Sequence, residues 1–209
     1  MWLCFASMKT STFRTPESPK PCVQPGRVAA GARMRGFTLV ELVVILAIAA
    51  ILLGLAGQQF KALLRSARLA AATNDMFAGL LLARSEAAKR NARVVLCKSA
   101  DGVACATAGG WEQGWIVFQD TNNNGLREAA EAVLLRGQPL SATVTATGNQ
   151  NVSRYVSYAA TGSTKLINGG FQAGTITFCE HLAAADARQI ILSAVGRPRM
   201  QKAPAGACT

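Results

Sequence analysis

The sequence predicts an α+β protein: one long N-terminal helix, a transmembrane half followed by an amphipathic half, packed on antiparallel β-sheet. Three observations predict it. No proline interrupts Phe37 to Asn91, where apolar residues recur close to helical spacing. Beyond Asn91 the pattern changes to short runs rich in Val, Ile and aromatics, separated by Gly, Asn, Ser and Thr. The 209 residues, half of them hydrophobic, 16% charged and with a mean hydropathy of +0.22, exclude a disordered chain and leave room for one domain plus an appendage.

Residues 1–36 read as a leader. They hold Pro16, Pro19, Pro21 and Pro25 and show no apolar periodicity. Six basic residues (Lys9, Arg14, Lys20, Arg27, Arg33, Arg35) against Glu17 carry +5 of the chain's net charge of +11. By the positive-inside rule they place this end in the cytoplasm and the C-terminal domain across the inner membrane, in the periplasm. Met34 is an alternative start, which would leave Met-Arg-Gly as the leader.

Residues 37–57 form the membrane span. From Leu42 to Ala56 no side chain is polar, and as a helix Phe37 to Gly57 would rise about 31 Å, close to the bilayer core. A cleavable signal is the competing reading. The apolar run is long for one, and Leu55-Ala56-Gly57-Gln58 is a poor cleavage site, so these lengths favour retention. Glu41 stands one turn inside, where a carboxylate costs about 2.5–3.5 kcal/mol on insertion scales. Either it snorkels to the headgroups, or it meets a cation at the same depth.

Arg35-Gly36-Phe37-Thr38-Leu39-Val40-Glu41-Leu42 resembles the cleavage and methylation site of type IV prepilins and type II secretion pseudopilins. The resemblance implies that a prepilin peptidase cuts between Gly36 and Phe37 and that the new amine is methylated. It also implies that Glu41 meets the N-terminal ammonium of a neighbouring subunit during assembly. Pairing two charges that are each costly in a low-dielectric core rewards correct registry.

Residues 58–91 continue as an amphipathic helix. Phe60, Leu63, Leu64, Ala67, Ala71, Phe77, Leu80, Leu81, Ala87 and Ala88 supply its apolar positions. Residues 92–209 follow as a β-rich domain with a basic C-terminal tail. Strands are expected at Arg93 to Lys98, Trp115 to Gln119, Ala132 to Arg136, Arg154 to Tyr158, Gly174 to Cys179 and Gln189 to Ala194. This order resembles the GspH/FimT minor pilins and pseudopilins, including Gly110-Trp111 and Gly114-Trp115-Ile116-Val117-Phe118, and implies a type IV pilin-like fold. Trp111, Trp115 and Phe118 read as core anchors.

Cys97, Cys105, Cys179 and Cys208 remain once the leader is gone. An even number in an oxidising compartment suggests two disulfides with three possible connectivities, and proximity favours Cys97 with Cys105 and Cys179 with Cys208. Asp120, Asn122, Asn124, Gly125 and Glu131 match a calcium-loop pattern, D-x-N-x-N-G-x5-E. Their flanks read as strands rather than helices, so Asx turns and a left-handed Gly125 make an ordinary hairpin loop from the same residues. The expectation is no metal and no cofactor, with calcium held by Asp120, Asn122, Asn124 and Glu131 as the lesser alternative.

Gly196-Arg197-Pro198-Arg199 follows the last expected strand, with Lys202 beyond and Arg188 before it. Two guanidiniums held apart by proline can contact adjacent phosphates. The motif resembles the GRxR of FimT-type minor pilins that bind DNA in natural transformation. It implies a DNA-binding set of Arg188, Gly196, Arg197, Arg199 and Lys202. No G-x-S-x-G, Walker A or H-E-x-x-H pattern is present, and one histidine, His181, cannot furnish a His-based metal site, so the chain reads as no enzyme. Two readings follow. One is a minor type IV pilin that binds DNA; the other is a structural pilin or H-type pseudopilin of type II secretion. In both, the partners are other major and minor pilins or pseudopilins, the prepilin peptidase and the inner membrane.

Overall fold

The computed structural model describes residues 36–181, 187–204 and 206–208, without the side chains of 55–58. The leader expectations, including Met34 and the six basic residues, lie outside the described residues. The chain divides into two units, Met1–Leu46 and Ala47–Thr209.

Helix α1 runs Leu39–Arg90, 52 residues. Thr38 caps its start: Leu42 N–H donates to Thr38 O (3.1 Å) and Glu41 N–H to Thr38 Oγ1 (3.3 Å). The helix is long and apolar enough to cross a membrane by length and composition. Its end is a left-handed Asn91 (φ 49°), with Ala92 N–H donating to Ala87 O and Asn91 N–H to Ala88 O, a Schellman stop.

The buried stripe of α1 is Leu69, Ala72, Thr73, Met76, Leu80, Ala83 and Ala87. It differs from the stripe expected above: Leu80 and Ala87 are common to both, Phe77 is half-buried, and Phe60, Leu63, Leu64, Ala67, Ala71, Leu81 and Ala88 are exposed. The helix is apolar around much of its circumference, so periodicity alone cannot choose its inner face. Small side chains decide it by permitting close approach. At Gly79 an added Cβ would stand 3.2 Å from Trp115 Nε1 and 3.3 Å from Leu96 Cδ1, on the sheet beneath.

Two four-stranded antiparallel sheets receive that stripe. In chain order the strands are β1 Val94–Lys98, β2 Trp115–Gln119, β3 Val133–Gly137, β4 Val144–Gly148, β5 Tyr155–Tyr158, β6 Gly174–Glu180, β7 Ala187–Leu192 and β8 Pro198–Lys202. The first sheet has the order β3-β2-β1-β5 and the second β4-β6-β7-β8. One core joins α1 to the inner faces of both, through Val94, Leu96, Trp115, Val117, Val156 and Tyr158 on one side and Val144, Ala146, Ile176, Phe178, Ile190 and Leu192 on the other. A second, smaller cluster of Val95, Cys97, Ile116 and Phe118 lies on the far face of the first sheet. Burial on both faces explains why β1 is apolar without alternation.

Strands β4 and β8 were not expected. The basic segment read as a tail is an edge strand, β8, paired to β7 from Leu192↔Pro198 to Arg188↔Lys202. Its opening proline is tolerated because that position begins an edge strand.

Candidate nucleic-acid interface

The basic motif lies on the β7–β8 hairpin. Gly196 N–H donates to Ser193 O (2.8 Å), closing the turn, and Gly196 itself has φ 79°. A left-handed glycine closing a short hairpin loop is a common solution. Ser193 then fastens Arg197: its Oγ accepts from Arg197 N–H and donates to Arg197 O, both at 3.2 Å.

Register sorts the expected cations into two groups. Side chains alternate along a strand, and cross-strand partners share a face. Arg199 opposes Ile191, and Arg197, two residues before Arg199, bonds Ser193, so these two arginines belong to the outward face, about 7 Å apart along the strand. Arg188 and Lys202 oppose each other on the same face as Ile190, Leu192 and the core. Five residues that are clustered in sequence thus do not form one patch. The outward pair and Gly196 come together, whereas Arg188 and Lys202 flank the inner face at the other end of the hairpin. Among the described residues no hydrogen bond or ion pair engages the charged group of Arg197, Arg199, Arg188 or Lys202, whereas Glu86 pairs with Lys89 and Arg90.

Among the described residues, the outward strand positions of the second sheet are mostly polar and none is acidic; Glu180, at the end of β6, lines a cavity with Thr145 and Thr147. The outward face presents Thr145 and Thr147 from β4, Thr175, Thr177 and Cys179 from β6, Ala187, Gln189 and Ile191 from β7, and Arg199 and Gln201 from β8. Hydroxyls and amides of this kind donate to phosphate oxygens. Gln201 and Gln189 are linked by an amide hydrogen bond (3.3 Å), and Gln189 donates on to Thr177 (3.2 Å). Ile191, Ser193, Arg197, Pro198 and Arg199 line a shallow cavity of about 250 Å³ at this edge.

The turn is braced by residues that sequence reasoning missed. A Cβ at Gly196 would stand 2.0 Å from Gly162 O, so its glycine is demanded by the chain's own 159–163 turn rather than by a ligand. Arg84 of α1 donates its Nε–H to the same Gly162 O (3.0 Å). Thr164 N–H reaches Ala194 O (3.3 Å), and its hydroxyl reaches Gln172 O (2.6 Å) and Ser193 O (3.0 Å). Gly162, within Ala-Thr-Gly-Ser, carried a turn signal. Nothing in the sequence marks Arg84 or Thr164 as a brace for this turn.

The remaining expected sites are dispersed. Gly36 is exposed and has open space around it, Phe37 is exposed, and Glu41 sits in the first turn of α1 with no ion pair among the described residues. Cys97 and Cys105 form a disulfide with Cα atoms 5.6 Å apart, pinning the loop after β1. Cys179 and Cys208 form the second, Cα atoms 5.8 Å apart, tying residues 206–208 to β6. His181 is exposed in a turn, and Trp111, Trp115 and Phe118 are core residues.

In the Asp120 loop the carboxylates are turned onto the loop's own backbone. Asp120 accepts from Asn124 N–H (3.1 Å) and Gly125 N–H (2.9 Å), and Asn122 also accepts from Asn124 N–H (3.1 Å). Asn124 Oδ1 accepts from Leu126 N–H (2.7 Å), while Glu131 accepts from Thr121 and Glu128 N–H groups at 2.8 and 3.1 Å. Burial raises the Asp120 carboxyl above the usual range; the two N–H bonds oppose this. Burial also pushes on Glu131, but its hydrogen bonds from Glu128 and Thr121 prevail and hold it low. The oxygens serve a self-capped Asx loop, and no group of three or more His, Cys, Asp or Glu suited to a metal occurs among the described residues.

Comparison with known proteins adds the family. The model of the type II transport protein GspH matches residues 72–196, and that of the prokaryotic N-terminal methylation motif matches residues 31–57. No curated protein matches the chain. Among solved structures, the chain is similar to the type IV minor pilin FimU of Pseudomonas aeruginosa, at 21% identity over 66% of this chain and 89% of that one, with a TM-score of 0.47. It is also similar to the minor pseudopilin EpsH from the type 2 secretion system of Vibrio cholerae, at 9% identity over 68% of this chain and 99% of that one, with a TM-score of 0.45. Because the first match takes in more than half of the sequence, from the buried part of α1 to the Gly196 turn, the chain belongs to the GspH family and carries the N-terminal methylation motif ahead of it.

Proposed function

We propose that the protein is a minor subunit of a type IV pilus, anchored by a single span in the inner membrane with its C-terminal domain periplasmic, and that it binds DNA without sequence preference during natural transformation. Prepilin peptidase cleaves between Gly36 and Phe37, the Phe37 amine is methylated, and Glu41 opposes a neighbouring subunit's ammonium. The exposure of Gly36 and Phe37 supports this, since a peptidase must reach both residues. The two disulfides support an oxidising compartment. Exposed Phe60, Leu63, Leu64, Ala67 and Ala71 form an outward apolar stripe fit to pack against other pilins. In this reading the protein has no catalytic role and needs no cofactor.

The observation that carries the DNA reading is the pair of exposed arginines, Arg197 and Arg199, whose guanidiniums have no partner among the described residues, on a braced turn beside a polar sheet face. Such a surface meets phosphates, so binding is sequence-tolerant and salt-sensitive. The test is a low-salt gel shift with the full chain in detergent. Replacing Arg197 and Arg199 with Ala should weaken binding about tenfold or more per residue, the worth of a charge-assisted hydrogen bond. Unchanged affinity would remove DNA from the account.

A second reading has its own support. Charges on β8 also guard an exposed sheet edge against further pairing, which suits a purely structural pilin or H-type pseudopilin of type II secretion. That subunit would assemble normally and bind no DNA.

A further inference from the structure

We infer that the basic turn prefers single-stranded DNA to duplex, with Phe171 as a base-stacking side chain beside it; this rests on the DNA reading above. Among the described residues beyond α1, the two most exposed large apolar side chains are Phe171 (77%) and Val195 (62%). Val195 adjoins the arginines, and Phe171 is linked to their turn through Thr164. Val195 lies in the turn itself, and the Thr164 hydroxyl bonds both Gln172 O, next to Phe171, and Ser193 O, the first residue of the turn. Phe171 opposes Lys165 across an isolated antiparallel bridge, so a third cation shares its face.

An exposed phenyl ring that shares a face with Lys165 and is linked to the arginine turn suits a partner with both negative charge and flat apolar surface. Duplex DNA offers phosphates and base edges, but its base faces are hidden in the stack. A single strand offers both, and base-aromatic stacking is sequence-tolerant because every base has a π-face. Nothing inside the fold explains Phe171: its neighbours on the hairpin tip are Asn168, Gly169 and Gly170, which are exposed as well. Gln172, by contrast, is buried and fully used, accepting from Ser157 N–H (2.8 Å) and donating to Asn151 O (2.8 Å) and Tyr155 O (2.9 Å). That anchored residue holds its exposed neighbour in place.

The experiment is fluorescence anisotropy of the full chain in detergent with one labelled mixed-sequence oligonucleotide, alone and annealed to its complement, at low salt. Phe171→Ala should weaken the single strand about tenfold and the duplex less than about twofold, while Phe171→Trp keeps single-strand affinity. Because the side chain is exposed, both variants should unfold at the wild-type urea midpoint, which checks that folding is intact. If Phe171→Ala leaves single-strand affinity unchanged, or weakens both forms equally, the stacking inference is overturned while DNA binding stands. If the wild type binds neither form, the DNA reading and this inference fall together, leaving Phe171 and Val195 as protein-contact residues.

Discussion

Gly196→Ala perturbs the basic turn without touching either arginine, and its cost can be worked from the structure. Alanine at φ 79° costs about 1–2 kcal/mol for the left-handed conformation alone. Its Cβ would also fall 2.0 Å from Gly162 O, a backbone atom that no rotamer change can move. The two turns must part, which strains the bonds from Thr164 to Ala194 O and Ser193 O, each worth about 1 kcal/mol. The sum is about 3–4 kcal/mol. Gly169 provides the matched control, since it too is left-handed (φ 89°) but has open space where a Cβ would go. Gly169→Ala should cost about 1–2 kcal/mol, the conformational part only. Urea unfolding of the full chain in detergent, followed by tryptophan emission, measures both. Equal costs would refute the argument that Gly196 is fixed by the Gly162 turn, and retained DNA affinity in Gly196→Ala would separate the turn's geometry from binding.

Further outcomes follow from the same contacts. Arg84→Ala removes the bond to Gly162 O and should cost about 1 kcal/mol in unfolding while lowering DNA affinity, although Arg84 lies on α1 and not on the hairpin. Replacing Cys179 and Cys208 together with Ser opens a link across 29 residues of sequence and should cost about 3–4 kcal/mol by chain entropy, read as a lower urea midpoint. Asp120 has a folded-state pKa raised by burial, so its own stabilisation is greatest below the unfolded carboxylate range and falls as pH rises through the folded value. The wild-type advantage over Asp120→Asn should therefore shrink from acid to neutral pH in paired unfolding curves; an advantage that grows would contradict this sign. Calorimetric titration with calcium should give no saturable heat, because Asp120 and Glu131 already accept the loop's N–H groups.

The long helix and most strands were legible because their signals are local. A proline-free apolar run cannot easily be anything else, and β1, β2 and β6 are dense in β-branched and aromatic residues. Strand β4, Val-Thr-Ala-Thr-Gly, has little such signal. Pairing with β6 makes it a strand, and Glu112 completes its edge by accepting Ala146 N–H (3.0 Å). Strand β8, Pro-Arg-Met-Gln-Lys, reads as a solvated tail because an edge strand facing water has no apolar alternation to show. The candidate site was half legible for the same reason. Its residue types were visible in Gly-Arg-Pro-Arg, but only pairing with β7 separates Arg197 and Arg199 from Arg188 and Lys202. Part of the inner stripe of α1 was missed because Ala72, Gly79 and Ala83 are chosen for closeness of approach, which a hydrophobicity pattern does not register.

The measurement that tests the central claim most directly is the salt dependence of DNA affinity for the full chain and its Arg197→Ala, Arg199→Ala double variant. If the two guanidiniums bind phosphates, the wild type binds at low salt and loses affinity steeply as salt rises. The double variant binds more weakly, and the slope of log affinity against log salt falls in magnitude by about 2, one for each lost phosphate contact. Equal affinities and equal slopes for the two proteins would contradict it.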